Sequence, residues 1–182
     1  MVDIDLGGML KGLRSLNVED CRAALEETME LLTSGLADRG LLQPLIALTA
    51  SEDDQVRRDA SWCLGKLALM KLGDPRSIEA LVPLAMDQDM EVRENAAWAL
   101  GELTGLGIGD TITIEALNIL LTDPEKQVQG MAAWALGRMA DKMRVTSPSS
   151  VPLLKIMLQD KSEFLRKGAE WSLERIERLR PH

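Results

Sequence analysis

One ten-residue pattern recurs four times in this chain at an almost fixed interval. It reads Val56-Arg57-Arg58-Asp59-Ala60-Ser61-Trp62-Cys63-Leu64-Gly65, then Val92-Arg93-Glu94-Asn95-Ala96-Ala97-Trp98-Ala99-Leu100-Gly101. The third copy runs from Val128 to Gly137 around Trp134, and the fourth from Leu165 to Glu174 around Trp171. The intervals are 36, 36 and 37 residues, and all four tryptophans of the chain hold the same place. A unit this short cannot bury its own apolar face. It must stack on its neighbours, and a continuous core then runs through the stack. For 182 residues the period therefore predicts one quasi-linear domain rather than one or two globular ones.

Each unit reads as two helices joined by a short acidic turn. The spacing predicts first helices at about Leu41–Ala50, Ile78–Met86, Ile114–Leu121 and Val151–Leu158. Leu45, Leu81, Leu117 and Leu154 occupy equivalent places in them. Pro44 and Pro152 fall near helix starts, where a missing N–H is harmless. Pro83 sits deeper and is expected to kink its helix. The turns Ser51–Asp54, Asp87–Asp89, Asp123–Glu125 and Asp160–Ser162 carry acids suited to capping the second helix. No segment reads as a strand. The units span about 40–74, 75–110, 111–147 and 148–182. Residues 1–39 lack the tryptophan and read as a degenerate first unit or N-terminal cap. In it, Leu6–Leu16 forms a short helix. Asn17 caps Val18–Leu32, Asp20 completes a capping box, and Gly35 ends the helix. The exit Asp141–Ser150 is the longest and most polar connection, the one expected to be mobile.

Charge and residue inventory narrow the function. Net charge is −8, whereas duplex binding draws on a basic stripe; nucleic acid and anionic membranes are poor partners. Residues 148–182 differ, with 5 acids against 7 bases. Arg175, Arg178 and Arg180 make a basic tip, read as a solvated end or, less simply, as an assembly contact. Two cysteines, Cys21 and Cys63, make no disulfide framework, and Cys63 falls on an apolar helix face. With no leader or spanning segment at Met1–Asp5, the expectation is a cytoplasmic protein. Gly105-x-Gly107-x-Gly109 lies between helices, without the strand and spacing of a phosphate loop. The acidic turns lack the alternating ligands of a calcium loop. Neither metal nor cofactor is expected.

The unit Asp87-x-Asp89-x-x-Val92-Arg93-x-x-Ala96-Ala97-x-Ala99-Leu100-Gly101-x-Leu103 resembles a HEAT repeat, of the short type named after phycobilisome lyases. Four copies cover residues 40–180. The resemblance implies an all-α, right-handed α-solenoid of stacked helical hairpins. First helices would line the convex face and second helices the concave one. It also implies a ladder between units, in which the turn aspartates Asp87, Asp123 and Asp160 meet Arg57, Arg93 and Arg166. Ser51 and Gln129 depart from that pattern, so the ladder is incomplete. Known relatives of the fold include bilin lyase subunits, a di-iron hydroxylase and DNA-base glycosylases. The hydroxylase uses repeated His-Glu ligand pairs, and here the single histidine is His182. A glycosylase needs a basic groove.

On a helical wheel of about 100° per residue, Val56, Ala60, Cys63, Leu64 and Leu67 form the core arc. Trp62 lies roughly 140° from its middle, beside Arg58 and Lys66. Trp98 with Glu94 and Glu102, Trp134 with Gly130 and Arg138, and Trp171 with Lys167 and Arg175 repeat the placement. Two readings stay open. The indoles pack sideways as an internal ladder, or they present an aromatic stripe to a partner. The resemblance favours the stripe, because designed repeats built on the family consensus vary this position to create binding surfaces. The chain is read as a non-catalytic scaffold or adaptor. A partner protein or peptide would meet Trp62, Trp98, Trp134, Trp171, Arg58, Glu94, Glu102, Arg138 and Lys167. The alternative is an accessory subunit of a lyase-type chromophore or cofactor attachment complex, with a bilin stacked on tryptophan.

Overall fold

A computed structural model describes residues 5–179. The described residues form ten α-helices and no strand. The helices are α1 (Leu6–Gly12), α2 (Val18–Thr33), α3 (Leu42–Leu48), α4 (Asp54–Leu69), α5 (Arg76–Leu81), α6 (Met90–Thr104), α7 (Thr111–Leu120), α8 (Lys126–Met143), α9 (Ser150–Met157) and α10 (Glu163–Glu177). A 3₁₀ turn, Arg39–Leu41, leads into α3, and another, Val82–Met86, continues α5. The tryptophan helices are α4, α6, α8 and α10. They lie side by side in chain order, with α2 packed on α4 at one end. The short helices α3, α5, α7 and α9 back them as a second layer. The arrangement is an α-solenoid.

The turns between the two layers set the helix starts. The Asp87 carboxylate accepts from the Asp89 N–H at 2.9 Å, and Asp89 in turn accepts from the Val92 N–H at 3.0 Å. One acid fixes the bend and the next caps the helix. Ser51 and Asp53 do the same before α4, where Asp53 accepts from the Val56 N–H at 2.9 Å. The starts of α8 and α10 carry no side-chain cap bond. Helix ends use left-handed residues: φ is +87° at Gly35 and +78° at Gly107. At each, the next residue's N–H reaches back to Leu31 O and Leu103 O respectively, closing the last turn.

Three local expectations change. Pro83 does more than kink a helix over Ile78–Met86. It ends α5 at Leu81, and the chain tightens into 3₁₀ because the ring supplies no N–H to an α-type bond. Asp20 does not close a capping box. Asn17 Oδ1 accepts from the N–H groups of Glu19 and Asp20, but the Asp20 carboxylate takes the Ser15 hydroxyl at 2.7 Å. The exit after α8 is shorter than read, since Asp141–Met143 complete that helix and Arg144 (φ +60°) ends it.

One continuous core runs from Met9 to Ile176. The equivalent leucines Leu45, Leu81, Leu117 and Leu154 are all fully buried, as are Val56, Val92, Val128 and Leu165. Between adjacent tryptophan helices the contact residues are small: Ala60, Ala96, Ala97, Ala132, Ala133 and Ala169 are also fully buried. Small side chains at the contact allow close approach of neighbouring helices.

Candidate functional site

The edge of the stack is tied by a repeated arginine clasp. Arg57 donates through Nε and Nη2 to the Asp87 carboxylate at 2.6 and 3.0 Å, and through Nη1 to the Ser51 and Glu52 carbonyls at 2.9 Å each. One side chain thus staples its own turn and grips the next. Arg93 repeats this with Asp123 (2.6 and 3.0 Å) and with the Asp87 and Gln88 carbonyls. The Asp123 side chain is 5% exposed. Such two-point, partly buried pairs are stronger than surface ion pairs. Burial pushes the Asp87 carboxyl up, but the Arg57 fork and the Asp89 N–H together hold it below the usual carboxylate range.

The clasp is complete where Arg and Asp coincide and patched elsewhere. Gln129 keeps only the carbonyl contact, to Asp123 O at 2.6 Å, and Lys126 reaches Asp160 instead at 2.7 Å. Arg166 holds the carbonyls of Asp160 and Lys161 in its own turn, not the Asp160 carboxylate. At the N-terminal interface Ser51 has no carboxylate, and Arg22 of α2 forks onto Asp53. Asp53 therefore serves as helix cap and clasp partner together. The signal for Arg22 was present in the sequence, since it stands 35 residues before Arg57.

The tryptophans do two things at once. The inner edge of each of three indoles lies in a gap left by a glycine of the preceding helix. A methyl on Gly65 would sit 2.6 Å from Trp98, one on Gly101 2.3 Å from Trp134, and one on Gly137 2.2 Å from Trp171. The outer part of each ring is partly exposed. Trp62 meets Trp98 with ring centroids 6.3 Å apart. The Arg138 guanidinium lies 5.0 Å from the Trp134 ring, and that of Arg175 3.6 Å from the Trp171 ring.

Toward the α8–α10 end this face opens into an apolar groove of about 670 Å³, lined by Trp98, Gly130, Met131, Trp134, Phe164, Lys167, Gly168 and Trp171. Its cause is local in sequence. Where the other helices carry Arg58, Glu94 and Lys167, α8 has Gly130; where they carry Asp59 and Asn95, α8 and α10 have Met131 and Gly168. Losing those polar chains uncovers the rings. Phe164, 60% exposed, leans its edge over Gly130. Nothing lies within 4 Å of a methyl built on Gly168, so its side-chain position is open space.

Of the nine residues expected to meet a partner, the groove brings together Trp98, Trp134, Trp171 and Lys167. Trp62 borders it through Trp98. Arg58 is committed to α6, pairing with Asp89 and Glu91 at 2.8 Å each. Glu102 is 5% exposed and is the partner of Arg138 at 3.2 Å; it faces no open surface. Glu94 is half-buried beside the groove, its carboxyl pushed up by burial and then by the charge of Glu91. Gly130, Met131, Phe164 and Gly168 line the groove without being among those nine, although Gly130 and Met131 lie beside the tryptophan row on the helical wheel. Their signal is departure from the repeat pattern toward small or apolar types.

The fold and the clasp define a class, the α-solenoid of stacked helical hairpins. Residues 42–118 and 114–179 match the family model described as HEAT repeats, and the chain belongs to that family. No curated protein matches it in sequence. Among solved structures it is similar to an engineered protein at 25% identity, with a TM-score of 0.77 over 94% of this chain and 78% of that one. It is also similar to computationally designed armadillo repeat proteins for modular peptide recognition, at 21% identity and TM-score 0.70 over 92% of this chain and 80% of that one. A designed armadillo repeat protein in complex with the peptide (KR)4 aligns at 19% identity and TM-score 0.58, over 95% of this chain and all of that one. Among the described residues no helix is long and apolar enough to cross a membrane.

Proposed function

We propose that the chain is a non-catalytic protein-binding module that holds a partner segment along the concave face formed by α4, α6, α8 and α10. The observation that carries this is the groove over Trp98, Trp134 and Trp171, where polar positions of the repeat have become Gly130, Met131 and Gly168. A partly exposed indole row beside such a hollow suits an apolar anchor from a partner, and buried Trp contacts of this kind supply hot spots of about 2 kcal/mol or more. The designed armadillo neighbours, made for peptide recognition, lend the reading support by analogy of architecture. The helix pairs support units at about 40–74, 75–110, 111–147 and 148–182, after a degenerate first unit or cap at 1–39; the Arg22–Asp53 pair supports its attachment to the next unit. The buried thiols Cys21 and Cys63 suit a reducing cytoplasmic setting.

The test is selection from a display library of random peptides. Binders are then re-measured on Gly168→Arg, which places a long side chain into open space in the groove while leaving the packing intact. The proposal expects most selected peptides to lose at least about tenfold in affinity. Binders that are indifferent to Gly168→Arg would move the site off this face.

A further inference from the structure

The second-helix face changes character along the stack. At the α8–α10 end it is the apolar groove just described. At the α2–α4 end it is a second hollow, of about 900 Å³, whose lining includes Glu26, Glu30, Gln55 and Asp59. Between the two stands Glu94. Most basic groups nearby are already engaged: Arg22 with Asp53, Arg58 with Asp89 and Glu91, Arg138 with Glu102, and Lys167 with Glu163; Lys66, one turn beyond Trp62 on α4, forms no ion pair among the described residues. Glu26, Glu30, Asp59 and Glu94 form no ion pair among the described residues. Asp59 and Glu94 are partly buried, and burial is the largest influence on each carboxyl. Glu94 has no counter-charge, and at Asp59 the charge of Arg58 and a Gln55 hydrogen bond offset only part of the effect of burial; a partly desolvated carboxylate left in that state disfavours folding, so these two acids cost stability rather than add it. A ligand cation laid beside them removes that penalty.

Resting on the binding-module reading, we propose that the occupant is an extended peptide segment that combines a bulky apolar anchor with a cluster of Lys or Arg. The anchor seats between Trp98, Trp134 and Trp171, and the cations lie along Glu94, Asp59, Glu30 and Glu26. The distance fixes the spacing. From the middle of α8 to the α2–α4 hollow is about two and a half helix separations, roughly 20–25 Å at 8–10 Å each. An extended chain covers that in about seven residues. The paired state of Lys167, Arg138 and Arg175 leaves the anchor end without free cations to repel the ligand's positive charge.

Three synthetic peptides of equal length test this. The first has a Phe-Leu end, a Gly/Ser spacer of about five residues and four alternating Lys and Arg. The second replaces the basic residues by Glu. The third replaces Phe-Leu by Ser-Ser. The chain has four Trp and no Tyr, so indole fluorescence on this face reports binding directly, at low and at physiological salt. The proposal expects the first peptide to bind at least about tenfold more tightly than either other. Gly168→Arg should remove the advantage of Phe-Leu. Asp59→Asn with Glu94→Gln should weaken the basic peptide about three- to tenfold and flatten its salt dependence, with far-UV circular dichroism showing both variants folded. Equal affinity for the acidic and basic peptides, or no effect of the Asp59/Glu94 pair, overturns the proposal. The library selection separates this from the broader reading: binders that Gly168→Arg blocks but that carry no Lys/Arg cluster leave a binding module whose ligand is not basic. Concentration-dependent self-association blocked by Gly168→Arg would assign the groove to a second copy and overturn the peptide.

Discussion

Replacing Gly101 by Ala should destabilise this protein, although the same change in an ordinary helix stabilises it. Gly101 lies inside α6, under the indole of Trp134. The added methyl would sit 2.3 Å from Trp134 Cζ3, 2.9 Å from Cε3 and 3.0 Å from Ala135 Cβ. Carbon atoms rest about 3.5–4.0 Å apart, so the ring must retreat by more than about 1 Å or α6 and α8 must separate. Two effects then oppose each other. Gly→Ala in a helix interior contributes about 0.5–1 kcal/mol of stability. Overpacking a close contact costs about 1–3 kcal/mol. The second wins, for a net loss of about 1–2 kcal/mol. Gly168→Ala is the control, because no atom lies within 4 Å of its methyl; it should gain about 0.5–1 kcal/mol. Trp134→Ala removes the obstacle, so in that background Gly101→Ala should also gain about 0.5–1 kcal/mol. The assay is urea unfolding followed by circular dichroism, comparing midpoints and slopes because stacked repeats can unfold in parts. A single mutant Gly101→Ala as stable as Gly168→Ala, with no change of sign in the Trp134→Ala background, would refute the account of glycine as a seat for the next indole.

Other outcomes follow from the clasp and the carboxylates. Arg93→Lys keeps the charge but loses the fork onto Asp123, and should cost about 2 kcal/mol in urea unfolding. Gln129→Arg should restore the missing clasp to Asp160 and gain about 1 kcal/mol, a gain that Asp160→Asn in the same background cancels. Asp53, Asp87 and Asp89 have folded-state pKa values below the ordinary one. Their contribution is therefore complete above the unfolded carboxylate pKa of about 4 and is lost as pH falls through the lower folded values. Thermal stability should drop steeply below about pH 4, and less steeply in Asp87→Asn, which starts lower. Asp59 and Glu94 shift the other way, so Asp59→Asn and Glu94→Gln should leave melting temperature at neutral pH unchanged or slightly raised. A clear loss in either would contradict the reading that burial outweighs the partners of these acids.

The sequence reveals the fold through its period, and hides the groove in departures from that period. The four Trp-centred copies are self-similar enough that the hairpin, the stack and the burial of Val56, Val92, Val128 and Leu165 follow from spacing alone. The groove is different. It is made of exceptions, Gly130, Met131, Phe164 and Gly168, and a pattern search built to find likeness passes over positions that differ. Arg22 was hidden for a related reason: its unit lacks the tryptophan and the turn aspartate that flag the others, and its acid, Asp53, stands two residues later than the pattern requires.

The amino-acid sequence by itself determined the class of fold, because a 36-residue amphipathic unit has one way to bury its apolar face, against the next unit. It determined the side of each helix on which the tryptophans lie, because 100° per residue is fixed by backbone geometry. It left open whether those indoles pack or present themselves. Tertiary structure decided the packing part: Gly65, Gly101 and Gly137 leave room for one edge of Trp98, Trp134 and Trp171, and all four indoles stay partly exposed. It decided that Glu102 is a buried partner of Arg138 and that Arg58 is spent on α6, because which charges pair depends on side chains of different units meeting across the stack. It decided where the face is apolar and where it is acidic, a property of five helices together that no single repeat contains.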